Sequence, residues 1–147
     1  MTEENKELLI KDLCARLPYG VKLQKTYEEC GPLELRSIDI DNDKLVVYKY
    51  KGEVLTICDA DSIERFGQIK YKPYLFPLSS MTEEQKEEIE DKLIFPSNSN
   101  GGWIEILCND EYDIPFCFID FCNKNYLDYR GLIPMGLALD ATGLNIY

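Results

Sequence analysis

The sequence predicts a small α+β protein in which an antiparallel β-sheet, mostly a meander, packs against two or three α-helices. Three observations predict this class. The helix-start signature MTEE occurs twice, at residues 1–4 and 81–84. Between the two copies, residues 33–60 are rich in β-branched and aromatic residues and are interrupted by short polar breaks. The length of 147 residues, of which 45% are hydrophobic, fits a single domain spanning residues 1–147.

The first helix is predicted from Thr2 to Leu17. Thr2 is a suitable N-cap, and the acidic residues that follow it favour the positive end of the helix dipole. Pro18-Tyr19-Gly20 then ends the helix. Apolar residues at helical spacing predict one buried stripe, formed by Ile10, Leu13, Cys14 and Leu17.

Three strands are predicted next, in the segments LELRSIDI, KLVVYKY and EVLTICDA. The short breaks DND and KG between them favour an antiparallel meander. In the first segment the alternation of apolar residues slips across Ser37, which predicts a β-bulge. The aspartates of the DND break suit a turn. A calcium loop is disfavoured, because Lys44 and Tyr50 replace the glycine and glutamate that such a loop requires.

The middle of the chain is predicted to cross the surface, since YKPYLFPLSS has prolines at positions 73 and 77. A second helix follows, in which Thr82 and Gln85 have the spacing of a capping box. Its only clear apolar anchors are Ile89 and Leu93, so most of this helix should face water.

The last third predicts a fourth strand at residues 103–107, WIEIL, and a third helix that runs to about Tyr126 with Pro115 in its first turn. The apolar C-terminal segment, with glycines as turns, is expected to close the core rather than form a tail. The buried face of the third helix is predicted from residues at helical spacing: Ile114, Cys117, Phe118, Phe121 and Cys122.

Charge is distributed unevenly along the chain, which has a net charge of −11. Residues 1–73 contain 12 Lys and Arg against 14 Asp and Glu, a net of −2, and residues 74–147 contain 4 against 13, a net of −9. Such a surface repels phosphate backbones, so nucleic acid is an unlikely partner, whereas a basic host protein would suit it. Solubility alone is the alternative explanation. No apolar run is long enough to span a membrane, and the acidic N-terminus is unlike a signal peptide, so the expected location is the cytoplasm.

The sequence contains few of the residues and motifs that are typical of enzyme active sites. There is no histidine, which removes the commonest general base and metal ligand. Glycine-rich phosphate loops, nucleophile elbows and dinucleotide fingerprints are missing as well. Cys117 and Cys122 are five residues apart and do not form the CxxC pair of a zinc site. We therefore expect no metal and no cofactor.

The segment YLDYRG contains the most site-like residues, Tyr126, Asp128, Tyr129 and Arg130. The guanidinium of Arg130 could bind a carboxylate or phosphate bidentately. The favoured interpretation is that Arg130 pairs with Asp128 or with a helix C-terminus and anchors the last segment. The carboxylates of the NDEYD cluster at residues 109–113 are expected to cap the third helix. A metal site or an acid–base pair that joins this cluster to Glu105 or Asp128 is the less favoured alternative.

Three segments stand out together: LIKDLCARLPYGVK, YKPYLFPLSSMTEEQKEE and NKNYLDYRGLIPMGLALDATGLNIY, which comprise 57 of the 147 residues. In these segments the chain resembles a family of small uncharacterised proteins from gut bacterial genomes and their phages or prophages. The family has no assigned activity, so the resemblance implies only a context: a phage-associated or mobile-element protein inside a bacterial cell.

Two classes of function remain. The first is a non-enzymatic intracellular protein-binding module that acts through an acidic C-terminal surface. The second is a small histidine-free enzyme that uses Arg130 with carboxylates among Glu105, Asp110, Asp113 and Asp128. The binding module is favoured because the charge is asymmetric and no catalytic set is assembled in the sequence. Its candidate binding residues are Glu83, Glu87, Glu90, Tyr126, Asp128, Tyr129 and Arg130.

Overall fold

The computed structural model describes most of the two ends of the chain and parts of its middle. The protein has an α+β fold, as predicted, in which a six-stranded sheet packs against helices. The described residues are 2–25, 32–39, 44–49, 54–55, 64–65, 68–69, 71–90 and 115–147.

Helix α1 spans Glu3–Arg16 and is capped by Thr2, whose hydroxyl accepts a hydrogen bond of 3.2 Å from the backbone N–H of Asn5. A 3₁₀ turn at Leu17–Tyr19 and the left-handed Gly20 follow, so both predicted ends are confirmed. The buried face of α1 is shifted by one residue from the predicted stripe. Leu13 is buried as predicted, but Ile10, Cys14 and Leu17 are only half-buried. The residues that α1 does bury are Leu9, Asp12, Leu13 and Arg16.

The strands of the sheet are β1 (Lys22–Lys25), β2 (Leu33–Asp39), β3 (Lys44–Lys49), β4 (Val54–Leu55), β7 (Tyr71–Leu75) and β8 (Leu139–Asp140), and a separate pair consists of β5 (Glu64–Arg65) and β6 (Gln68–Ile69). The strand order in the sheet is β4-β3-β2-β1-β7-β8. Neighbouring strands from β4 to β7 are antiparallel, whereas β8 pairs with β7 in parallel through Tyr74 with Leu139 and Leu75 with Asp140. The sheet is therefore mixed, and the expectation of an antiparallel sheet is corrected at this edge.

The predicted meander is confirmed in strands β2, β3 and β4. The register of β2 against β3 shifts between Leu35 and Ser37, which is the bulge that the slipped alternation predicts. Asp39 at the end of β2 pairs with Lys44 at the start of β3, and the DND break between these two residues lies outside the described residues. Leu33 and Leu35 are buried on the core side.

The prediction that residues 71–80 cross the surface is wrong for the first half of that segment. Strand β7 lies inside the sheet, between β1 and β8, and four of its five residues are buried. Pro73 is opposite Leu23 of β1, and the pairing with β8 begins only at Tyr74. Pro73 has no backbone N–H to donate to a neighbouring strand. It lies just before Tyr74, where the pairing with β8 begins.

Helix α2 spans Glu83–Glu90 and begins with the predicted capping box. The backbone N–H of Thr82 donates to Gln85 Oε1 at 3.0 Å, and that of Gln85 donates to Thr82 Oγ1 at 3.2 Å. Ile89 is the one described residue of α2 that is buried. The second predicted anchor, Leu93, lies outside the described residues.

Helix α3 spans Phe116–Lys124, with Pro115 at its N-cap. Phe118, Phe121 and Cys122 are buried as predicted, while Cys117 is half-buried. The helix ends before Tyr126, because that residue has a left-handed backbone with φ of 57°. Ile114 and the strand predicted at residues 103–107 lie outside the described residues.

Two buried clusters of apolar side chains stabilise the fold. The sheet cluster lies between α1, the sheet and the C-terminal segment, and the helix cluster joins α2 and α3. The sheet cluster consists of Leu9, Leu13, Val21, Leu23, Leu33, Leu35, Tyr71, Leu75, Leu132, Leu137 and Ala138. The helix cluster consists of Met81, Ile89, Phe118, Phe121, Cys122 and Leu127.

The C-terminal segment is part of the core, as the sequence predicts. Leu132 and Leu137 are buried in the sheet cluster, and the backbone N–H of Ala141 donates to Leu75 O at 2.8 Å. The hydroxyl of Tyr147 donates to Tyr74 O at 2.7 Å and accepts from the backbone N–H of Lys22 at 3.1 Å. The segment is thus tied to both β1 and β7.

Deletion of residues 137–147 should leave the protein insoluble or molten. The deletion removes strand β8 and buried side chains such as Leu137, and burial of one large apolar side chain contributes roughly 1.5–3 kcal/mol. A domain of this size has a free energy of unfolding of only about 5–15 kcal/mol. Thermal unfolding followed by circular dichroism tests this. A cooperative transition near the melting temperature of the full chain would show that the segment is dispensable.

Candidate functional site

The predicted binding residues on α2 all face solvent. Glu83, Glu87 and Glu90 are exposed, as expected for a helix that buries only Ile89. Glu83 accepts a hydrogen bond of 2.6 Å from the ammonium group of Lys86. An exposed pair of this kind contributes at most about 1 kcal/mol to stability, so the acidic face is not needed to hold the fold together.

Asp128 is a structural residue in this fold. Its two carboxylate oxygens accept hydrogen bonds from the backbone N–H groups of Leu132 and Ile133, each at 2.8 Å. The side chain is buried and fixes the turn that leads into the C-terminal segment. The interpretation that Asp128 pairs with Arg130 is therefore wrong.

Arg130 anchors the last segment, as the favoured interpretation predicts, but its partner is on α1. Its Nε lies 3.3 Å from Oδ1 of Asp12, and its guanidinium lies over the ring of Tyr129, 4.7 Å from the ring centroid. Only 18% of the Arg130 side chain is exposed. Arg130 and Asp128 thus serve different partners and do not form a joint catalytic pair.

Arg16 completes a cluster that sequence reasoning missed. Its side chain is fully buried and binds Asp12 bidentately, with Nε 2.7 Å from Oδ2 and Nη2 3.1 Å from Oδ1. The remaining contacts reach the end of α3: Nη1 donates to Cys122 O at 3.2 Å and Nη2 donates to Leu127 O at 2.9 Å. The signal was available in the sequence, because an acid and a base four residues apart form a helical pair.

Two tyrosines of the predicted site also hold the fold together. The ring of Tyr126 stacks on Tyr147, with 3.7 Å between centroids and 13° between planes, and its hydroxyl donates to Tyr19 O. Burial raises the pKa of the Tyr126 phenol. Burial is also the largest cause that raises the pKa of Tyr129, opposed by the charge of Arg130. Neither phenol is placed to act as a base at neutral pH.

A cleft of about 250 Å³ opens beside the start of α2. We call it the α2 cleft. It is assembled from the end of β7, the first turn of α2, the segment after α3 and the C-terminal turn, so no single stretch of sequence indicates it. Its lining is uncharged and includes Phe76, Ser80, Thr82, Gln85, Asn125 and Leu127, and the C-terminal turn adds Thr142 and Gly143.

Hydrogen bonds fix the polar walls of the α2 cleft. Gln85 Nε2 donates to Asn125 Oδ1 at 3.2 Å, which joins α2 to the end of α3. Asn125 Nδ2 donates in turn to Phe121 O at 2.9 Å. The floor is held by the backbone of Phe76, which bonds to Tyr126 and Asp128. These bonds connect the walls of the cleft to α2, to α3 and to the segment that follows α3.

No three His, Cys, Asp or Glu side chains among the described residues are grouped so that they could hold a metal ion. The NDEYD cluster and Glu105 lie outside those residues. None of the helices that the structure describes is long and apolar enough to cross a bilayer.

Replacement of Arg16 by methionine should lower the free energy of unfolding by about 3–5 kcal/mol, because the carboxylate of Asp12 would lose its main partner in a buried site. The double variant with Asp12→Leu should recover much of this loss. The carbonyls of Cys122 and Leu127 keep their bonds to the backbone N–H groups of Leu127 and Tyr129. Urea unfolding measures both effects, and Lys11→Met, at an exposed position of α1, is the matched control.

A loss of less than about 1 kcal/mol in Arg16→Met, or a double variant no more stable than the single one, would contradict the structural role of this pair.

Comparison of the chain with protein-family models, with curated proteins and with solved structures finds no match. No activity or ligand is therefore carried over from another protein.

Proposed function

We propose that this chain is a non-enzymatic protein-binding module that engages a basic protein partner through the acidic surface of α2. The observation that carries the proposal is how little of α2 is buried against the rest of the fold. It buries Ile89 alone among the described residues and leaves Glu83, Glu84, Glu87 and Glu90 exposed. Carboxylates that are not needed for folding are free to attract a partner.

The overall charge supports the same proposal. The second half of the sequence has a net charge of −9, so the field around α2 is negative. Complementary charge speeds the encounter of two proteins more than it strengthens the final complex. From the resemblance of three segments to phage-associated proteins we further propose that the basic partner is a host protein inside a bacterial cell.

The alternative function, a histidine-free enzyme built on Arg130, has no support from the described residues. Arg130 contacts Asp12 and Tyr129, and Asp128 caps a turn. The other carboxylates of that hypothesis, Glu105, Asp110 and Asp113, lie outside the described residues. The two residues that can be placed are both occupied in structural contacts.

Reversal of Glu83, Glu87 and Glu90 to lysine should abolish capture of the partner. The full-length protein is immobilised and exposed to a bacterial lysate, and retained proteins are identified by mass spectrometry. Reversal of Glu3, Glu4 and Glu7 to lysine is the matched control, because it makes the same change in charge at exposed positions near the start of a different helix, α1. The control should retain the partner, and both variants should remain folded.

Association with the purified partner should slow markedly as salt is raised. Exposed charges are screened beyond about 8 Å at physiological ionic strength, and the association rate responds most to that screening. Kinetics measured by biolayer interferometry at several salt concentrations test this. A partner that binds equally well in high salt, or that ignores the reversal on α2, would show that the acidic face serves only solubility.

A further inference from the structure

We propose that the α2 cleft is a subsite for one basic side chain, a lysine or an arginine, of the protein partner. This inference rests on the proposed function and deepens it, because the cleft lies at the first turn of the same acidic helix. The exposed glutamates attract the partner, and the cleft fixes one of its side chains.

The size and floor of the cleft fit a single side chain. Its volume of about 250 Å³ is below the range of roughly 300–1,000 Å³ that is typical of pockets for drug-sized molecules. Phe76 and Leu127 provide apolar surface for a methylene stem. Lysine and arginine bury such stems while their charged ends remain among polar groups.

The polar lining offers oxygen acceptors for a cation. The hydroxyl of Ser80 donates its proton to Pro77 O at 2.7 Å, so its oxygen can only accept a further bond. The side-chain oxygens of Gln85 and Asn125 each accept one bond and retain a second acceptor site. An ammonium or guanidinium group needs acceptors of this kind.

Two carboxylates, those of Asp140 and Glu84, interact with threonines that line the cleft. The backbone N–H of Thr142 donates to Asp140 Oδ1 at 2.8 Å, and bonds from Thr142, chiefly from its hydroxyl, lower the pKa of Asp140. The backbone N–H of Glu84 and then the hydroxyl of Thr82 lower the pKa of Glu84. Both acids remain ionised at neutral pH, and both threonines line the cleft.

An anionic ligand is disfavoured at this position. None of the described lining residues is basic, and Lys86, in the first turns of α2, is engaged by Glu83 at 2.6 Å. The positive end of the helix dipole is equivalent to only about half a charge. The first-turn carboxylates of Glu83 and Glu84 exceed it.

Titration of the ¹⁵N-labelled full-length protein with short peptides tests the subsite. Three acetylated and amidated probes are used, Gly-Gly-Lys-Gly-Gly, its arginine analogue and its glutamine analogue. The lysine or arginine probe should shift the amide signals of Thr82, Gln85, Asn125 and Thr142, whereas the glutamine probe should not. Equal shifts with all three probes, or shifts confined to exposed glutamates away from the cleft, would overturn the proposal.

Charge-removing variants provide the second test. Asp140→Asn and Glu84→Gln should each weaken binding of the basic probe by about two- to fivefold, the factor expected for one exposed ion pair. Glu7→Gln, which removes the same charge at an exposed position of α1 outside the cleft lining, is the matched control and should have no such effect. The asparagine can still accept the bond from Thr142, so the turn is retained. An effect of the control as large as that of the two cleft variants would overturn the proposal.

The same variants separate this inference from the proposed function. If the double variant Glu84→Gln, Asp140→Asn captures the partner as well as the wild type while the reversal on α2 abolishes capture, the subsite is wrong and the proposed function stands. If the reversal on α2 has no effect on capture, the proposed function fails, and the peptide titration still decides whether the cleft binds a basic side chain.

Discussion

The buried guanidinium of Arg16 is the interaction on which the rest of the structure depends. It lies on α1 in the turn after Leu13, which belongs to the sheet cluster, and it bonds to the carbonyls of Cys122 and Leu127, which belong to the helix cluster. Four hydrogen bonds hold it, two of them to Asp12. A hydrocarbon side chain could fill the same space, but it could not bind two specific carbonyls. The arginine therefore fixes how the two clusters meet.

This arrangement explains why the most site-like segment of the sequence turns out to be structural. After Leu127 the chain passes back towards α1, where Arg130 shares Asp12 with Arg16 and packs on Tyr129. Charged and aromatic residues are concentrated there because the segment must neutralise a buried carboxylate and cover two guanidinium groups. Exposed carboxylates lie instead on α2, whose one buried residue among those that the structure describes is Ile89.

Local signals in the sequence predicted the local structure well. The caps at Thr2 and Thr82 and the bulge before Ser37 each depend on residues within a few positions of one another. The central strand β7 was missed because proline suggests a loop, and nothing nearby shows that Leu23 is its neighbour. The stripe of α1 was misplaced because apolar residues alone were counted, whereas the buried face includes an ion pair. The α2 cleft could not be predicted, since it is assembled from four separate segments.

The pairing of β1 with β7 has a consequence for synthesis. Leu23 pairs with Pro73, roughly 50 residues later, and ribosomes add about 5–20 residues per second. Several seconds therefore pass between the synthesis of β1 and that of β7. During that delay, the face of α1 that will pack in the core is exposed to water. This face includes Asp12 and Arg16, which can form an ion pair in water because they are four residues apart on a helix. The nascent helix therefore exposes less apolar surface to chaperones and to other nascent chains than it would with four leucines on this face. Asp12 and Arg16 thus join the two clusters in the folded protein and also lower the tendency of α1 to aggregate before the sheet forms.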